Sequence, residues 1–98
     1  MPHLTTGEAA LFCFGRVVTT PLALEALTQH GITPLSLLTR HASGDWGDVS
    51  ADDAVANQMA LQFGSRLLSA YRIGTNAKIW VITEADRSLT MLLLPSEY

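Results

Sequence analysis

The sequence predicts a single α+β domain, residues 1–98, built as an N-terminal strand, three short helices and then a three-stranded antiparallel meander. Three observations predict it. An aromatic and β-branched run lies near the start, and three helix-opening signatures fill the middle. After Gly64 the hydrophobic period changes from four to two.

Residues 1–7 read as a loose lead-in. Residues 11–20 (LFCFGRVVTT) read as a strand, with Phe12, Phe14, Arg16 and Val18 on one face and Leu11, Cys13, Gly15 and Val17 on the other. Thr20-Pro21 opens a helix: threonine caps it, and proline stands where its missing N–H is harmless. Ala23, Leu24 and Leu27 share its apolar stripe, and Gly31 stops it. Thr33-Pro34 repeats the device ahead of Leu35, Leu37 and Leu38. Ser50-Ala51-Asp52-Asp53 resembles a capping box and opens a third helix, with Val55, Met59 and Phe63 beside Ala56 and Ala60 as its apolar stripe. Then Leu67, Ser69 and Tyr71 alternate with Leu68, Ala70 and Arg72. A Gly74 turn leads into residues 78–84 (KIWVITE), and a second turn at 85–88 into residues 89–94 (LTMLLL), which Pro95 stops.

Charge narrows the function classes. Nine acids and six bases give a net charge of −3, and the bases are scattered, which argues against nucleic acid as partner. Only 15% of residues are charged, against about 25% in a typical domain. So thin a solvating layer predicts an apolar face hidden against a protein partner or a second copy, a homodimer through the open face of the sheet. Cys13 is alone, so no internal disulfide forms, and its apolar setting predicts a buried, inert thiol. The start lacks the pattern of a signal peptide and no stretch reaches the length of a membrane span. The expectation is a cytoplasmic protein without a membrane partner.

The candidate chemistry concentrates in residues 40–48, RHASGDWGD. His41, Asp45 and Asp48 are the candidate ligands for a divalent metal, since imidazole and carboxylate oxygens suit Mg, Mn or Zn. Their spacing matches no metal signature, and no cofactor is otherwise predicted. With Arg72, Glu84 and Arg87 the same residues make a candidate catalytic set, a base, an acid and a cation for a small nuclease or hydrolase, metal-dependent or not. Trp46, Tyr71 and Trp80 are the candidate binding aromatics, with a core role as the plainer alternative. Plainer readings also make the acids turn or cap residues and His41 a cap on the second helix.

Two stretches together carry a resemblance: RHASGDWGD, and RLLSAY with KIWVITEADRSLTMLLLPSEY running to Tyr98. They resemble a family of small bacterial proteins of plasmids and integrated elements, some described as "plasmid-related protein". The resemblance implies a mobile-element setting and brings no catalytic residue with it. The expected function is an accessory protein that binds a protein partner, with modulation of a host defence system as one form of it. The nuclease or hydrolase is the alternative.

Overall fold

The computed structural model describes residues 10–98, so the lead-in at 1–7 lies outside it. Each helix starts where a hydroxyl satisfies a free backbone N–H. Thr20 accepts from Ala23 at 3.1 Å at the head of α1 (Pro21–Gln29), and Thr33 from Ser36 at 3.2 Å ahead of α2 (Pro34–Ala42). Ser50 accepts from Asp53 at 3.1 Å ahead of α3 (Ala51–Phe63), which Gly64 ends in a left-handed conformation. Each such cap contributes about 1 kcal/mol.

The fold is α+β, but the three-stranded antiparallel meander is corrected to a four-stranded mixed sheet. Its order is β1-β4-β3-β2, from β1 (Arg16–Thr19), β2 (Leu67–Gly74), β3 (Ala77–Thr83) and β4 (Leu89–Leu93). β2 pairs antiparallel with β3, and β3 with β4. β1 joins the far side of β4 in parallel, Arg16 opposite Leu89 and Thr19 opposite Leu92. A parallel neighbour needs a long crossover, and here everything between β1 and β4 forms it. The element order also differs, since a 3₁₀ turn (Pro95–Glu97) follows β4. β1 is shorter than the run at 11–20 because Leu11 donates its N–H to Ala42 at 2.9 Å and the chain passes the end of α2 before reaching the sheet.

On one sheet face Tyr71, Ile73, Ile79, Val81 and Leu92 pack against Ala23 and Leu27 of α1 and Leu37 and Leu38 of α2. A smaller cluster joins Trp46, Ala60 and Leu67, with Phe12, Val49, Ala54 and Leu61 against it. Over the opposite sheet face the C-terminal turn brings Tyr98 edge-on to Trp80 at 5.6 Å. That turn is pinned by Glu97, whose carboxylate accepts from the Thr20 hydroxyl and the Leu94 N–H, each at 2.8 Å. Part of the face expected to seek a partner is therefore covered by the chain itself. The thiol of Cys13 is exposed rather than buried, because Phe12 and Phe14 take the inward positions on either side of it.

The outer edge of β2 is closed by two separate devices. The Asn57 side chain donates to the Leu68 carbonyl at 2.7 Å and accepts from the Leu68 N–H at 3.0 Å, as a neighbouring strand would. Two residues on, Ala70 accepts from the Asp48 N–H at 2.6 Å and donates to the Trp46 carbonyl at 3.0 Å. An edge strand with free amide groups invites aggregation, and these pairings occupy the outward groups of Leu68 and Ala70. They also settle how α3 sits. Asn57 and Ala60 face inward, and the stripe read as its core face turns out: Val55, Met59 and Phe63 are 62%, 52% and 67% exposed. The small residues Ala54 and Ala60 let the helix approach the Trp46 cluster closely enough for Asn57 to reach the strand.

Candidate functional site

His41 stands in the last turn of α2 and is wholly buried, 0% exposed. Nδ1 lies 2.6 Å from the Ser69 hydroxyl and Nε2 lies 2.9 Å from the Thr83 hydroxyl. Thr83 is 2.8 Å from Thr90, and Thr90 donates to the Phe14 carbonyl at 2.8 Å. The direction of every bond follows from that last acceptor, because a carbonyl only accepts. The Thr90 proton is committed to Phe14, so Thr90 accepts from Thr83 and Thr83 accepts from Nε2–H. Burial keeps the ring neutral at ordinary pH, so the lone pair of Nδ1 is left to accept from Ser69. His41 is therefore the neutral Nε2–H tautomer, and every polar group in the chain of bonds is satisfied. Burial pushes its imidazole down to about 4, and the positive charge of Arg87 acts in the same direction. The ring is enclosed by Phe12 at 5.0 Å, Trp46 at 5.8 Å and Phe14 at 6.4 Å. It does not cap the carbonyls of α2. It ties α2 to β2, β3, β4 and the segment leading into β1.

Asp45 and Asp48 lie elsewhere, on the surface. Arg40 grips Asp45 through Nε at 2.7 Å and Nη2 at 3.3 Å, and the same carboxylate accepts the Gly47 N–H at 3.1 Å. Asp45 is thus a turn residue, and its hydrogen bond from Arg40 holds its carboxyl below the usual range. Asp48 faces Lys78 at 3.3 Å and Arg72 at 3.2 Å, and these cations lower its carboxyl likewise. Between the two carboxylates runs an open groove of about 300 Å³, lined by Arg40, Asp45, Gly47, Asp48, Ala70, Tyr71 and Arg72. Its charges are already paired. The Tyr71 hydroxyl donates to the Asp45 carbonyl at 2.6 Å, and burial pushes it up to about 12, so it stays protonated at neutral pH.

Arg87 works at the other end of β3. Its guanidinium donates to the carbonyls of Ser65 at 2.6 Å, Ala60 at 3.0 Å, Glu84 at 3.1 Å and Ala85 at 3.2 Å. It therefore closes the C-terminal end of α3, where free carbonyls and the helix dipole favour a cation. Its contact with Glu84 is with the main-chain carbonyl. Arg87 itself holds a left-handed φ of 61°. Replacing it with methionine is expected to destabilise the fold by about 2 kcal/mol and to raise amide exchange at Gly64 and Ser65, whose N–H groups close α3 on the Ala60 carbonyl. Arg87→Gly, which relaxes the backbone, should cost less than Arg87→Met in a denaturant melt.

The six candidate catalytic residues thus fall into three places. His41 is in the core. Asp45, Asp48 and Arg72 flank the groove, and Glu84 and Arg87 sit at the hairpin beyond Thr83. Six residues separate Lys78, beside Asp48, from Glu84, which is about 20 Å of extended strand. Among the described residues no three His, Cys, Asp or Glu side chains gather as metal ligands, and His41, Asp45 and Asp48 each face different partners. Of the binding aromatics, Trp46 and Tyr71 are core residues, and Trp80 is half-buried with Tyr98 at its edge. Arg40 lies over the Tyr71 ring at 4.4 Å. The Trp46 Nε1–H is buried with no acceptor among the described residues.

The residues that hold this region together, none of them among the candidate site residues, are Ser69, Thr83, Thr90 and Asn57. Ser69 and Thr90 occupy inward strand positions between apolar neighbours, which is the signal that could have found them. No family model, curated protein or solved structure matches the chain.

Proposed function

We propose that the chain is a binding protein that works through an apolar contact on α3, an accessory factor in the mobile-element setting its motifs resemble, with host defence as one target. The observation that carries this reading is the outward Val55–Met59–Phe63 stripe. Leaving three such side chains half or more in water forgoes roughly 3–5 kcal/mol of burial, a large share of the stability of a small domain. A covering partner recovers it. The groups a hydrolase would need support the same reading: the imidazole is enclosed and fully bonded, and both loop carboxylates are held by cations.

The test is retention on an immobilised chain. Wild type is expected to retain protein, its own free chain or a host protein, that Met59→Lys does not. The melting temperature should be unchanged, because exposed substitutions usually shift stability by less than about 0.5 kcal/mol. Equal retention by both forms would overturn the reading.

A further inference from the structure

We infer that the occupant of the α3 face is a second copy of this chain, paired antiparallel about a two-fold axis at Met59. The inference rests on the binding reading above and names its partner. The argument is the symmetry of this segment about one residue. Val55 and Phe63 each stand four positions from Met59, about 40° to either side around the helix, and both are exposed. Asp52 stands seven positions before Met59, about 20° off the same line. Arg66 stands seven positions after it, just past the Gly64 cap, and is also exposed.

In a two-fold contact, residue i of each copy meets residue j of the other. With Met59 on the axis, Val55 of each copy meets Phe63 of the other, and Asp52 of each meets Arg66 of the other. The acidic first turn, Asp52 and Asp53, then lies by the carbonyl end of the opposing helix and its arginine. A parallel pairing would set Asp52 on Asp52 and Arg66 on Arg66, and like charges across an interface select against it. Between the charged ends the exposed neighbours are Ala56, Gln58 and Gln62, none of which carries a charge that would oppose the pairing. The Arg66 guanidinium lies 5.4 Å from the centre of the Tyr98 ring and bonds its hydroxyl.

A 13-residue helix is about 20 Å long. Against its copy it covers on the order of a few hundred Å² per partner, below the roughly 800 Å² of a standard stable interface. The dimer is therefore a weak one, and sedimentation equilibrium must run to concentrations on the order of 1 mM.

The expected result is a reversible monomer–dimer equilibrium. Phe63→Glu should abolish it. Asp52→Arg and Arg66→Asp should each weaken it roughly tenfold, and the double variant should recover most of the loss. Far-UV circular dichroism melts confirm that each variant is folded. A wild type that stays monomeric throughout, a dimer that Phe63→Glu leaves intact, or a double variant no better than the single ones overturns the inference. A monomeric wild type that retains a host protein lost by Met59→Lys overturns the second copy as occupant and leaves the binding reading standing. A monomeric wild type that retains nothing overturns both.

Discussion

Gly47→Ala is expected to destabilise the protein by roughly 4 kcal/mol and to lower its melting temperature by roughly 15–30 °C. Gly47 has φ of +73°, and a Cβ there would lie 2.2 Å from the Ala70 carbonyl oxygen and 2.6 and 2.9 Å from the Tyr71 ring. The left-handed backbone alone costs an alanine about 1–2 kcal/mol. The collision adds more, since the nearest atom is backbone and cannot swing aside. Relieving it means drawing residues 46–48 away from β2. That would break the two Ala70 bonds at 2.6 and 3.0 Å and the Tyr71 bond to Asp45, and would reopen the edge of the sheet. Gly64→Ala is the control: its φ is +78°, yet a Cβ there meets nothing within 4 Å. That variant should lose only the backbone share, about 1 kcal/mol. If the two variants melt alike in the calorimeter, the loop is not docked on β2 as described.

What could be read from the residues divides along the range of the forces involved. The three helix starts were legible because a hydroxyl and the N–H it accepts lie three positions apart, and Asp86 forming its turn with the Ser88 N–H and hydroxyl at 3.0 and 2.6 Å is equally local. The strand at β1 was legible as a strand but not as the parallel neighbour of β4, since nothing near Arg16 encodes the register with Leu89. Period alone marked the Val55–Met59–Phe63 stripe as apolar without saying which way it faces. Asn57 decided that by bonding Leu68, eleven residues away. His41 was legible as unusual chemistry in a loop-rich motif. Its partners Ser69 and Thr83 stand 28 and 42 residues off, so a ring that looked available for catalysis is a core residue. Of the candidate catalytic set only Asp45, Asp48 and Arg72 meet, at the groove, while Glu84 and Arg87 are at the other end of β3.

Acid is expected to unfold this protein in two stages, and the first belongs to His41. The imidazole has a value of 6.5 in the unfolded chain and about 4 in the folded one, lowered first by burial and then by Arg87. Between those values the unfolded chain holds a proton that the folded chain refuses, so stability rises with pH across the window. The contribution is complete above 6.5, falls as the pH drops through 6.5 toward 4, and amounts to about 3 kcal/mol over the whole interval. The carboxyls of Asp45, Asp48 and Asp86 are depressed from 3.8 by their hydrogen-bond and ion-pair partners. Their contributions are therefore present above that value and lost below it, on the acid side of the histidine window. Urea melts taken at intervals across the range separate the two stages. His41→Gln should lower stability at neutral pH by about 2–4 kcal/mol, because Ser69 and Thr83 lose a well-placed buried partner, and it should flatten the profile between 6.5 and 4. Nitrogen-15 shifts of the wild-type ring at neutral pH should report Nδ1 as the unprotonated nitrogen. A wild-type profile flat down to pH 4, or a ring that titrates near 6.5 in the folded protein, would mean that the imidazole is open to water and that the network does not close around it.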